Sequence, residues 1–171
     1  MDQASMAGTN VFSTNQPSLS VITVINNLTF VETSRDDIDS QALWPKQIIY
    51  QDEMLIVFND IRPAAPHHFL IVPKEHISDA KVLVPSQKPL VEHMISTAHK
   101  MLTDNLGSTD NARLGFHWPP FHTVSHLHLH AIAPATDMGF MSKMMFKENS
   151  WWFVSPDYVL TRLSAEEAPS Q

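Results

Sequence analysis

Short apolar runs bounded by turn residues punctuate the chain from residue 47 onward, and they predict its elements in order. Gln47-Ile48-Ile49-Tyr50 reads as a strand, Gln51-Asp52-Glu53 as a turn, and Met54 to Phe58 as a second strand. Asn59-Asp60 ends that strand, and Pro63 and Pro66 make residues 61–67 an irregular loop. His68-Phe69-Leu70-Ile71-Val72 is a third strand, closed by Pro73. The period then changes. Between residues 86 and 105, Leu90, Val91, Met94, Ile95, Ala98, Met101 and Leu102 recur at three and four, which predicts one helix with a single apolar stripe. Ser86 is placed to cap it and Gly107 to stop it. Ala112 to His117 is a fourth strand, Trp118-Pro119-Pro120 a stiff turn, and Phe121 to Ile132 a fifth strand. Phe140 to Phe146 is methionine-rich and amphipathic. Trp151-Trp152-Phe153-Val154 is too apolar to stand in water. Ser155-Pro156-Asp157 starts a last helix running to Ser164. The order of elements predicts an α+β domain with a mainly antiparallel sheet.

The flanks differ in character. Residues 1–20 are rich in Ser, Thr, Asn, Gln and Ala and show no period, so they read as a mobile tail. Residues 21–31 have the composition of an extra strand or docking segment, and 32–45 of an acidic linker or short helix. The expected division is a divergent, flexible segment at 1–45, a domain at 46–164 and a tail at 165–171.

Composition narrows the function. The 171 residues are 43% hydrophobic, enough for one core. They contain no cysteine, which removes disulfides, thiolate zinc sites and a cysteine nucleophile. The net charge is -7, and no basic cluster exceeds two residues, which argues against a broad nucleic-acid footprint. Met1-Asp2-Gln3 lacks the basic start of a secretory signal, and no apolar run approaches a membrane span. A cytoplasmic or nuclear protein without a membrane partner is expected, so Asn27-Leu28-Thr29 is read as a chance match to a glycosylation acceptor.

The chemistry sits in Ser125-His126-Leu127-His128-Leu129-His130-Ala131. On a strand, alternate residues share a face, so three imidazoles point one way and Leu127, Leu129 and Ala131 the other. Three uses compete. A neighbouring pair could bind a metal, although all three span about 13 Å, too far for one tetrahedral ion. A neutral imidazole could attack phosphorus covalently, flanked by histidines that orient it and carry protons. The histidines could also be structural, at a desolvation cost for each. Thr123, Asp60 and His68 lie where a hydroxyl, a carboxylate and a fourth imidazole would serve a nucleotide.

The string His126-Leu127-His128-Leu129-His130-Ala131-Ile132 resembles the H-x-H-x-H signature of the histidine triad superfamily. Residues 58–77, from Phe58-Asn59-Asp60-Ile61-Arg62-Pro63 to Pro73-Lys74-Glu75-His76-Ile77, resemble that family's second motif. Leu114-Gly115-Phe116-His117-Trp118-Pro119-Pro120-Phe121 and the Trp151-Trp152-Phe153 tail are similar to its nucleotide-binding protein 3 branch. The resemblance implies a five-stranded antiparallel sheet with one long helix and a short C-terminal helix, usually in a homodimer. It implies hydrolysis of purine nucleoside phosphoramidates to AMP and an amine, without cofactor or metal. His128 would be the nucleophile, His130 would contact the phosphate, and His126 and His68 would form a pair supporting His128. Asp60 would hold the ribose, with Asn59 and Ile61 lining the nucleoside pocket and Phe121, His122 and Thr123 lining the phosphate. Other branches place an asparagine near Gly115 to touch the phosphate, a contact missing from this chain. Related aprataxin-type deadenylases share a Gly-Phe-His phrase, but add a zinc finger and basic DNA contacts that an acidic, cysteine-free chain lacks. A non-catalytic nucleotide sensor or scaffold is the alternative from another class.

Overall fold

The structure is a computed structural model that describes residues 48–106, 108–121 and 124–167, together with the short strands β1 (Val24–Ile25) and β2 (Leu28–Thr29), which pair with each other. The expectations for His122, Thr123, Gly107, Asn27 and most of residues 1–47 lie outside the described residues.

The main sheet is antiparallel and takes β3 (Ile48–Gln51), β4 (Leu55–Asn59), β5 (His67–Pro73), β6 (Arg113–His117), β7 (Leu129–Ala133) and β8 (Phe153–Val154) in the order β3-β4-β5-β7-β6-β8. It has six strands where five are expected. The sixth is the end of the apolar Trp151–Val154 stretch, which buries both its residues by pairing Phe153 with His117 and Val154 with Phe116. The fifth strand is shorter than expected. Residues 124–128 leave the ladder, and the Leu127 N–H donates to the Ile77 carbonyl at 2.6 Å rather than to a neighbouring strand.

The two faces of the sheet have different tasks. Phe69, Ile71, Leu129, Ala131 and Phe116 share one face and meet Val91, Met94, Ala98 and Leu102 of α1 (Lys88–Leu106). This is the amphipathic pairing the helix period demands. A short turn of 3₁₀ helix, Pro85–Gln87, precedes α1. Ser86 therefore lies inside that turn, and the Gln87 side-chain oxygen takes the Val84 N–H in place of a serine cap. The expected Ser155 start is present in α3 (Pro156–Glu167), where Ser155 Oγ accepts the Tyr158 N–H at 3.2 Å. The helix continues three residues past Ser164, so the expected tail at 165–171 begins inside it. Val159 and Leu163 bury α3 on the main core, and Arg162 donates to the Ala80 and Leu83 carbonyls.

The opposite face carries His68 and His130, roofed by Ile132, Met138, Phe146 and Phe153. Phe146 is the buried anchor following α2 (Phe140–Met145), while Phe140 and Met141 stand in solvent. Among the described residues, no helix is long and apolar enough to cross a membrane.

Candidate active site: a chain of histidines across the central strands

β5 and β7 place the site. Their register sets Leu70 opposite His130 and His68 opposite Ile132, so His68 and His130 lie diagonally on one face. Both are almost fully buried. The Ala64 N–H donates to His68 Nδ1 at 3.1 Å, which leaves that nitrogen without a proton. The proton of neutral His68 is therefore on Nε2, where it is donated to His130 Nδ1 at 2.9 Å. His130 then carries its own proton on Nε2, a buried donor with no hydrogen-bond partner among the described residues. An orphaned donor of this kind is costly unless a ligand accepts from it.

A second chain fixes His128. His126 Nε2 donates to the Pro73 carbonyl at 2.9 Å, and its bare Nδ1 accepts from His76 Nδ1 at 2.9 Å. The main-chain carbonyl of His126 accepts the Nδ1–H of His128 at 2.7 Å. In its neutral form His128 therefore carries its lone pair on Nε2, and its half-buried ring lies 4.8 Å between centroids from His130. Hydrogen bonds fix the tautomer of each histidine in these two chains.

Burial is the main cause of the protonation states. It holds His68 down to about 4, with His128 and His117 acting in the same direction and Asp60 opposing. Burial likewise lowers His126, against the favourable Pro73 carbonyl, and His130 well below its ordinary value. His68, His126 and His130 are thereby held neutral at pH 7.

The residues named from the sequence divide accordingly. His68, His126, His128 and His130 are together, but the three alternate imidazoles do not form one array. His126 is tied to the Pro73 and His76 side because the chain leaves the strand before Leu129. His68 and His126 do not pair with each other. His68 holds His130, and His126 supports His128 through its backbone carbonyl. Asp60 Oδ1 accepts the Arg62 N–H, and its Oδ2 lies 3.6 Å from His68 Nε2. Asn59 and Ile61 are exposed beside it. Phe121 packs edge-on against Trp151 at 4.5 Å, at the start of the loop leading to His126.

Gly115 has a packing role. A Cβ there would collide with the Phe153 ring and meet the Val154 carbonyl at 2.9 Å. The glycine lets β8 and the Phe153 ring close over the histidine face. Two site residues escaped the sequence reading of roles, His76 and His117. His76 follows a proline break and carries no periodic signal. His117 could have been found from parity, since β6 puts Gly115 opposite His130 and its alternate neighbour on the same face.

Asp60, His68 and His130 also bring three ligand-type atoms within 4.8 Å of one another. Their hydrogen bonds do not fit a metal. A metal on His68 Nε2 would need the proton moved to Nδ1, which already faces the Ala64 N–H.

Comparison with known proteins agrees with this geometry. A family model described as scavenger mRNA decapping enzyme C-term binding matches residues 34–146. Adenosine 5'-monophosphoramidase HINT3 of Xenopus tropicalis is 41% identical over 120 residues, covering 70% of this chain and 78% of that protein. The Mus musculus protein of the same name is 45% identical over 114 residues, covering 66% and 69%. The crystal structure of aprataxin ortholog Hnt3 in complex with DNA aligns with a TM-score of 0.53 at 20% identity, covering 69% of this chain and 68% of that one, a likeness of fold alone. With two relatives matched over more than two thirds of their length and the histidine cluster in place, the chain belongs to the histidine triad superfamily.

Proposed function

We propose that this protein hydrolyses purine nucleoside phosphoramidates, such as adenosine 5'-monophosphoramidate and lysyl-AMP-like conjugates, to AMP and an amine. The observation that carries the proposal is the His128 Nδ1–H donated to the His126 carbonyl, which puts the lone pair of the neutral ring on Nε2 of a half-buried side chain. The relatives named adenosine 5'-monophosphoramidase support the substrate class.

The reaction has two displacements. His128 Nε2 attacks phosphorus, a P–N bond forms to the imidazole, and the P–N bond to the amine breaks. The amine takes up a proton from solvent as it leaves, and the water that attacks in the second step returns one. Water then attacks the nucleotidyl-histidine, the bond to His128 breaks, and AMP departs with the ring neutral again. The buried Nε2–H of His130 donates to a phosphoryl oxygen, and the Asp60–His68 side holds its tautomer. Asp60 takes the ribose hydroxyls, exposed Ile61 and Asn59 line the nucleoside, and Phe121 lies on the phosphate side.

The test is turnover of a fluorogenic AMP-amine, with and without EDTA. Release of the amine at the same rate in EDTA is the expected result. Activity lost in chelator would make the protein a metal hydrolase, and AMP binding without turnover would make it a nucleotide sensor.

A further inference from the structure

A second carboxylate lies at the end of the site away from Asp60. β5 runs from His67 to Pro73, and Asp60 lies beside its start, 3.6 Å from His68. From His68 the imidazoles step to His130 and on to His128, at 5.2 and 4.8 Å between centroids. Past Pro73 the chain meets the loop before β7, where the Ile77 carbonyl takes the Leu127 N–H. The next two residues, Ser78 and Asp79, share a pocket with Val124, His126 and His128. The row of histidines thus has Asp60 at one end and Asp79 at the other.

Asp79 differs from the other carboxylates in such surroundings. Three are partly buried among the described residues, Asp52, Asp60 and Asp79. Asp52 meets His93 at 2.8 Å, and Asp60 meets His68 at 3.6 Å. Asp79 meets no basic side chain among the described residues. Its contacts form a turn. Oδ1 accepts the Lys81 and Val82 N–H groups at 2.8 and 3.3 Å, and Oδ2 accepts the Ser78 hydroxyl at 3.2 Å. A carboxylate has about four acceptor sites, so Oδ2 keeps one to offer. The turn fixes the side chain but supplies no counter-ion, and a partly desolvated charge of this kind favours a cationic ligand.

We infer that Asp79 sets the leaving-group specificity of the phosphoramidase, selecting AMP conjugates of amines that carry a second, cationic group. The direction of displacement places that group. Attack by His128 Nε2 sends the amine away from the ring, and the nucleoside takes the Asp60 end. The substituent on the amine therefore runs toward the other end, past Val124 to Asp79. Val124 gives a short alkyl chain an apolar wall, and Asp79 Oδ2 accepts from an ammonium at its tip. A substituent ending in a carboxylate would meet the same charge and be repelled. The inference rests on the phosphoramidase reading and narrows it to diamine-like leaving groups.

The test uses three AMP phosphoramidates of matched chain length, those of putrescine, butylamine and γ-aminobutyrate, whose far ends are positive, neutral and negative. Wild type should favour the putrescine conjugate over the butylamine conjugate about fivefold in kcat/KM, as a partly solvated ion pair allows. The butylamine conjugate should exceed the γ-aminobutyrate conjugate by a similar factor, and both ratios should shrink at high salt. Asp79→Asn keeps an oxygen for the Lys81 and Val82 N–H groups and removes the charge. It should bring the three conjugates within about twofold of one another. If that variant does not fold, Asp79→Ser replaces it as a shorter neutral acceptor. Equal kcat/KM for the three conjugates in wild type would overturn the inference. A preference that survives in Asp79→Asn would also overturn it and leave Asp79 a turn residue. Absence of turnover in wild type would instead overturn the phosphoramidase reading. Calorimetric affinities of the same conjugates for wild type and Asp79→Asn would then still decide the role of Asp79.

Discussion

His128→Asn is expected to reduce turnover of an AMP-amine by at least about 1,000-fold while leaving AMP affinity within severalfold of wild type. Asparagine retains a short polar side chain and an N–H that can still meet the His126 carbonyl. It lacks the bare ring nitrogen that forms the bond to phosphorus. The contacts proposed for His130 Nε2–H and Asp60 do not involve that nitrogen, so AMP binding should persist. The measurement pairs steady-state kcat with calorimetric binding of AMP. A variant that turned over at near-wild-type rate would show that His128 only binds. Loss of AMP binding with loss of rate would make it a structural member of the cluster.

The second large effect is on stability, and its sign follows from the neutral histidines. His68 titrates at about 4 in the folded chain, and His126 and His130 are also lowered, chiefly by burial. An unfolded histidine titrates near 6.5. Below that value the unfolded chain binds protons that the folded chain refuses, so stability falls as pH falls. For His68 the window runs from about 6.5 down to about 4. Each histidine kept neutral within the window contributes about 1.4 kcal/mol per pH unit. Against a typical total of about 5–15 kcal/mol, acidification from pH 7 to 5 removes a large share. Urea unfolding at several pH values checks this. The free energy should drop steeply below pH 6, and His68→Gln should reduce the slope by about one proton. A free energy flat from pH 7 to 5 would show that the cluster is charged or solvated in the folded protein.

Much of this was legible in the chain. The recurrence of Leu90, Val91, Met94, Ala98, Met101 and Leu102 located α1, and all six are buried in the core. The runs around Ile48, Leu55 and Phe69 located β3, β4 and β5. The histidine pattern found the site because three imidazoles set among core leucines carry a desolvation cost that a chemical role offsets. Its inner wiring was not legible. Strand parity assumes a strand, and residues 124–128 leave the ladder for contacts some 50 positions away, at Pro73, His76 and Ile77. Those partners lie at the end of β5 and in the loop after it, whose position depends on the whole fold. Likewise Gly115 read as a missing contact because Phe153, 38 positions later, fills the space it leaves. The β8 strand was hidden for a similar reason, since two residues cannot show a period.

The central claim is a covalent nucleotidyl-His128 intermediate, and the stereochemical course at phosphorus tests it most directly. A phosphoramidate of adenosine made chiral at phosphorus with sulfur and hydrolysed in isotopically labelled water reports the number of displacements. Two in-line displacements, first by His128 and then by water, each invert phosphorus, so the predicted result is net retention. Net inversion would mean that water attacks the substrate directly, and would contradict the nucleophilic role assigned to His128.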